Sequence, residues 1–169
     1  MTEFLTVRFE ANLDVNSFTS GQPSLDDWLR YHALRAQNQG SARTRALVRR
    51  GDKQVLGYYS LAPTQVDRAQ LPRGATGGLS TVPAYLLARL ALDQSIQGQG
   101  LGADLLADAM EETLSAAAHA AGRLLVVDAI DDTARTFYEH HGFKRIGASW
   151  RLYLRLSSIA ASIAATSRP

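Results

Sequence analysis

Six residues near the middle of the chain, Gln97-Gly98-Gln99-Gly100-Leu101-Gly102, restrict what the rest can be. They follow a short apolar run, Leu90-Ala91-Leu92, that reads as a buried strand. They precede a segment in which Leu101, Leu105, Leu106, Ala109 and Leu114 recur at helical spacing. A glycine-rich turn between a strand and a helix leaves several backbone N–H groups unpaired at the helix start, where the helix dipole adds positive potential. Phosphate is the natural guest.

Three anion-binding loops share this outline. No Gly-Lys-Ser/Thr follows the glycines, which excludes the P-loop of NTPases. Gly98, Gly100 and Ala103 fit G-x-G-x-x-A with Asp128 downstream, but in the dinucleotide fingerprint the first glycine follows its strand almost at once. Here Asp93 to Gln97 intervene, and 169 residues leave too little chain for a doubly wound sheet. The third pattern, Q/R-x-x-G-x-G/A, is met from Gln97 to Gly102, and the stretch resembles motif A of the GNAT acetyltransferases. In that family the loop amides hold the pyrophosphate of acetyl-CoA. The resemblance therefore implies cofactor contacts at Leu90, Ala91 and Leu92 and at Gln97, Gly98, Gln99, Gly100, Leu101 and Gly102.

A second stretch supports it. Asp131-x-x-Ala134-x-x-Phe137-Tyr138-x-x-x-Gly142-Phe143 resembles the second GNAT signature, N-x-x-A-x-x-F-Y-x-x-x-G-F, which implies further cofactor contacts at Asp131, Ala134 and Phe137. Asp131 stands where asparagine is common; it can cap a helix but lacks an amide donor. The reaction needs an amine to attack a thioester and a thiolate to leave. By resemblance Tyr138 protonates that thiolate, and the backbone amide of Leu92 polarises the carbonyl. His140 and His141, on a short helix before Gly142, are expected to face solvent. His32 and His119 have no metal-ligand spacing, so no metal site is expected.

The remaining elements read in chain order. Phe4–Phe9 alternates as a strand. Ser24 with Asp27 resembles a capping box for a helix over Leu25–Gln37, with Leu25, Trp28, Leu29, His32 and Ala36 inward. Arg43–Arg49 and Gln54–Pro63 read as a hairpin, in which Gly57 marks a close backbone approach or a bulge. Asp67–Pro83, rich in Gly and Pro, reads as a loop that is either a lid or a plain connector. Leu124–Ala129 is a strand buried on both faces, Thr133–His141 a short helix, and Phe143–Ile146 and Trp150–Leu156 closing strands. The expected fold class is α/β: a GNAT-like mixed, mostly antiparallel sheet splayed at its centre and flanked by helices. Residues 1–157 form one domain, and 158–169 a flexible, weakly helical tail.

With no cysteine the chain has neither disulfides nor thiolate chemistry, and with no long apolar run it has no predicted membrane span, so a cytoplasmic location is expected. The net charge is only +2. Its distribution is uneven: Arg30, Arg35, Arg43, Arg45 and Arg49, with Arg73 and Arg89, offer contacts to an RNA backbone. Alternation puts Arg43, Arg45 and Arg49 on one strand face.

The first half of the chain adds a narrower resemblance. Gly21-Gln-Pro-Ser-Leu-Asp-Asp-Trp28, Gly57-Tyr-Tyr-Ser-Leu-Ala62 and Pro83-x-x-Leu-Leu-Ala-Arg-Leu-Ala-Leu-Asp93 resemble the GNAT toxins of bacterial toxin-antitoxin pairs. That implies acetylation of the amino group of aminoacyl-tRNA, a small ribbon-helix-helix antitoxin and a possible homodimer. An α-amine, with a pKa near 7.7–8.0 before esterification lowers it, needs no dedicated base. The alternatives are acetylation of a small-molecule or protein amine, and a catalytically silent acyl-CoA-binding regulator.

Overall fold

The computed structural model describes residues 3–166. Its strands are β1 (Phe4–Arg8), β2 (Arg43–Arg49), β3 (Gly57–Asp67), β4 (Thr81–Leu92), β5 (Leu124–Asp128), β6 (Lys144–Arg145) and β7 (Arg151–Arg155), and its helices α1 (Pro23–Tyr31), α2 (Ala33–Gln39), α3 (Leu101–Ala120), α4 (Asp132–His140) and α5 (Leu156–Thr166). The strands form one sheet in the order β1-β2-β3-β4-β5-β7-β6. β1/β2, β2/β3, β5/β7 and β6/β7 pair antiparallel, whereas β4 and β5 pair in parallel. The parallel register runs from Ala84↔Leu124 to Leu87↔Val127, and β4 continues to Leu92.

The chain divides into two compact units, one comprising the residues up to Ala62 with Ala88–Ala109, the other Pro63–Leu87 with the chain from Met110 onward. In the first, Phe9, Phe18, Leu29, Ala33, Ala46, Val55, Tyr58 and Ala91 form the core. Gly57 lies where a Cβ would come within 2.9 Å of Leu92 Cδ2 and 3.2 Å of the Ala91 carbonyl, so the close approach read from the sequence is what this glycine permits. In the second unit, Val66, Val82, Ala84, Leu124, Val126, Ile146 and Tyr153 pack together. Leu124–Val127 is buried without alternation, as expected of a strand covered on both faces.

Several local expectations are corrected. The single helix over Leu25–Gln37 is two helices, because His32 (φ −127°, ψ −26°) leaves helical geometry between them. Pro23 starts the first turn and Gln22 precedes it without a side-chain cap, so Ser24 lies inside the helix and closes no capping box. Asp26 instead accepts hydrogen bonds from the Ser20 amide (3.0 Å) and hydroxyl (2.6 Å). His32 is exposed and Ala33 takes its place in the core.

β3 begins at Gly57 because Gln54 bridges Asp14 instead, and it reaches Asp67. The loop is therefore shorter than expected and holds 3₁₀ turns at Arg68–Gln70 and Arg73–Ala75. The stretch read as a weakly helical tail forms α5 as far as Thr166, anchored by buried Leu156 and Ile159; residues 167–169 lie outside the described part. Among the described residues no helix is long and apolar enough to cross a membrane.

Candidate active site

In the first unit the end of β4 runs through a 3₁₀ turn, Gln94–Ile96, into the glycine loop and α3. Gly98 and Gly100 have φ of +78° and +80°, a conformation that disfavours side chains, and a Cβ built on either would meet nothing within 4 Å. The backbone is thus exposed to open space where the first amides of a 20-residue helix lack intrahelical acceptors. Leu101 is buried and anchors the turn. This donor set, made of backbone N–H groups with no side chain in the way, fits the pyrophosphate of acetyl-CoA.

Asp93, 8 % exposed, fixes the approach to the loop. Its amide donates to the Leu56 carbonyl (2.8 Å), and its carboxylate accepts from the Thr19 amide (2.9 Å) and from the Ser95 amide (3.0 Å) and hydroxyl (2.7 Å). Burial alone would raise this carboxyl; the hydrogen bonds from Thr19 and Ser95 outweigh it and hold the group below the usual carboxylate range. Gln97, expected as a cofactor contact, folds its side chain back along the chain: Nε2 donates to the Leu92 carbonyl (2.9 Å) and the Ser20 carbonyl (2.8 Å). Neither the Asp93 clamp nor the Gln97 bridge was read from the sequence, although Asp93-x-Ser95 directly after a strand is a turn signal.

α1 carries an aromatic stack beside this segment. Trp28 lies nearly parallel to Tyr58 (11°, centroids 6.0 Å apart), and the Arg89 guanidinium sits 4.1 Å from the Trp28 ring. Burial pulls the pKa of Arg89 below its usual value. Trp28, His32 and Arg35 line a shallow depression of about 430 Å³ with Ala36, Gln39 and Ser41. This side of the unit combines an aromatic ring with cationic side chains.

The other arginines of the set are held differently. Arg30 donates to the Phe18 carbonyl, and Arg43 to that of Gln37 at 2.6 Å. Arg45 pairs with Asp108 (3.6 Å) and donates to the Thr6 carbonyl (3.2 Å). Arg49 pairs with Glu3 at 3.2 Å. Both faces of β2 are covered between Thr44 and Val48, apart from the half-buried Arg45. Arg35 and, in the other unit, Arg73 are exposed.

In the second unit the Asp131 carboxylate caps α4, accepting from the Ala134 amide at 2.8 Å. The helix buries Tyr138, whose ring meets Phe137 and Phe143 edge to face at 5.2 and 5.4 Å. Its hydroxyl has no hydrogen-bond partner among the described residues. Burial pushes the phenol pKa above its ordinary range, so the group stays protonated at neutral pH. Phe137 is half-buried and touches His141 at 4.8 Å; burial and the neighbouring His140 lower the pKa of His141. His140 is exposed.

Each unit thus carries one feature of an acyl-CoA-dependent transferase of mixed α/β fold: an anion-ready helix start in the first, and a capped helix with a buried phenol in the second. The chain belongs to the GNAT acetyltransferases: the acetyltransferase (GNAT) domain family matches residues 42–145. It is 43 % identical over 132 residues, 78 % of each chain, to a tRNA-acetylating toxin of Mycobacterium tuberculosis. Among solved structures it resembles AtaT complexed with acetyl-methionyl-tRNAfMet (TM-score 0.87, 31 % identity, 95 % and 99 % of the two chains). It also resembles a tyrosine-to-phenylalanine variant of the AtaT toxin bound to the C-terminus of the antitoxin AtaR and acetyl-CoA (TM-score 0.83, 30 % identity, 95 % and 98 %).

Proposed function

We propose that this chain moves an acetyl group from acetyl-CoA to the amino group of aminoacyl-tRNA and, by blocking that amine, acts as a translation-arresting toxin. The observation that carries the reading is the 43 % identity to a tRNA-acetylating toxin over most of both chains. The open glycine loop supports it. Bound acetyl-CoA supplies the thioester at which the acceptor amine reacts. The amides from Gly98 to Gly102 hold its pyrophosphate, the Leu92 N–H steadies charge developing on the carbonyl oxygen, and the Tyr138 hydroxyl donates its proton to the departing sulfur. Leu90, Ala91, Asp131, Ala134 and Phe137 shape the rest of the cofactor site.

The acceptor meets the side bearing Trp28, Arg35 and Arg89, and Arg30, Arg43, Arg49 and Arg73 add phosphate contacts, while Arg45 is held by Asp108. The activity belongs in the cytoplasm, where charged tRNA is found. An antitoxin of ribbon-helix-helix type restrains it, and the active form is a homodimer. Residues 1–157 work as one acetyltransferase domain. Transfer of labelled acetyl from acetyl-CoA to charged but not deacylated tRNA is the expected result; label reaching only small amines or proteins would refute the reading, and no transfer at all would favour a silent acyl-CoA-binding regulator.

A further inference from the structure

The segment Thr19–Gly21, which leads into α1, is laced to the residues between β4 and the glycine loop. Thr19 donates its amide to Asp93 Oδ2 (2.9 Å) and accepts at its carbonyl from the Gln94 amide (2.8 Å). One residue on, the Ser20 carbonyl accepts from Gln97 Nε2 (2.8 Å). Gly21, at φ +93°, takes a backbone conformation that side chains disfavour, so glycine suits the turn of the arm. An amide group has two protons to donate, and Gln97 gives one to Ser20 and the other to Leu92. Although exposed, it has no amide proton left for a ligand.

We propose that Gln97 and Asp93 are positioning residues that tie the Thr19–Gly21 arm to the acetyl-CoA loop, so that acetyl-CoA and the aminoacyl acceptor bind with positive coupling. This rests on the function proposed above. The Gln97 backbone opens the loop, and its side chain grips the carbonyl that ends β4 and the arm that begins α1. When phosphate oxygens immobilise the loop amides, the Gln97 side chain is immobilised with them, and the arm loses freedom before the acceptor arrives. The acceptor then meets a Trp28-bearing helix whose ordering has been achieved by the first substrate. Linkage makes the effect reciprocal: charged tRNA tightens acetyl-CoA by the same factor.

Hydrogen exchange on the full chain, with and without acetyl-CoA, tests this in the wild type and in Gln97→Ala, Gln97→Glu and Gln97→Arg. In the wild type acetyl-CoA should slow exchange in both 97–104 and 18–26. Gln97→Ala and Gln97→Glu, which cannot donate to the two carbonyls, should keep protection at 97–104 and lose most of it at 18–26. Their KM for charged tRNA should rise roughly tenfold, within the usual 5–150-fold span of coupling factors, more than kcat falls. Gln97→Arg, which restores donors, should recover the arm's protection. Persistent arm protection in Gln97→Ala overturns the proposal, as does joint loss, in that uncharged variant, of both protections with acetyl-CoA affinity, the mark of a direct ligand. If acetyl-CoA protects nothing at 97–104 in the wild type, the cofactor reading itself fails.

Discussion

Arg45 Nε lies 3.6 Å from Asp108 Oδ2, and the same carboxylate accepts hydrogen bonds from the Tyr59 hydroxyl (2.6 Å) and the Thr6 hydroxyl (3.0 Å). One side chain of α3 thus gathers β1, β2 and β3 of the first unit. Arg45 therefore has a stability role that Arg35, exposed on α2, does not. Arg45→Ala should lower unfolding free energy by roughly 1–2 kcal/mol, between the values for exposed and buried pairs. Arg35→Ala should leave stability within about 0.5 kcal/mol and weaken charged-tRNA binding while lowering its salt slope by about one unit. Urea titration and binding across salt concentrations separate the two; an Arg45 variant of full stability would return that residue to the RNA-facing set.

The glycine loop makes a sharper prediction. Gly100 has a positive φ and open space beside it, so Gly100→Asp introduces backbone strain and a carboxylate among amides awaiting phosphate. Acetyl-CoA affinity should fall more than a hundredfold by calorimetry, on the order of 3 kcal/mol. Strain alone should cost about 1–2 kcal/mol of stability. Gly51, also at positive φ with nothing nearby, is the control: Gly51→Asp should carry the strain cost without the binding loss.

Asp131 is where the cofactor motif departs from its usual asparagine, and here it caps α4 through the Ala134 amide. Asp131→Ala should destabilise by about 0.5–2 kcal/mol, whereas Asp131→Asn should keep the cap and cost little. If Asp131→Asn also tightens acetyl-CoA binding, the missing amide donor matters to the cofactor; equal affinity limits the residue to capping. Thermal melts and calorimetry on the two variants decide it.

How much of this was legible in the sequence depended on the range of each interaction. Leu124–Val127, the glycine loop and the helix around Tyr138 were readable because strand burial, helix starts and caps are written within a few neighbouring residues. The break at His32 was not, since Leu25, Leu29, Ala33 and Gln37 keep a helical period straight through it and only the backbone reveals the turn. Nor was the Asp93–Thr19 clamp, which joins residues 74 apart. Arg45 shows the limit of alternation: period two correctly grouped it with Arg43 and Arg49, but nothing local said that Asp108 on α3 would cover that face.

The last prediction concerns Tyr138. Tyr138→Phe keeps the edge-to-face contacts with Phe137 and Phe143 and removes only the hydroxyl, which has no structural partner among the described residues. The fold and acetyl-CoA affinity should survive, and kcat should fall roughly 10²–10⁴-fold, as for loss of a general acid. Burial raises the phenol pKa above its ordinary range, so the group remains protonated throughout pH 6–9 and adds no falling limb there. The rising limb of kcat/KM belongs to the acceptor amine, at or below about 7.7–8.0. Tyr138→Phe should therefore lower the whole pH–rate curve without moving that limb. A limb that shifts or vanishes would mean that Tyr138 takes a proton from the amine rather than giving one to the thiolate, and a curve of unchanged height would remove it from the chemistry.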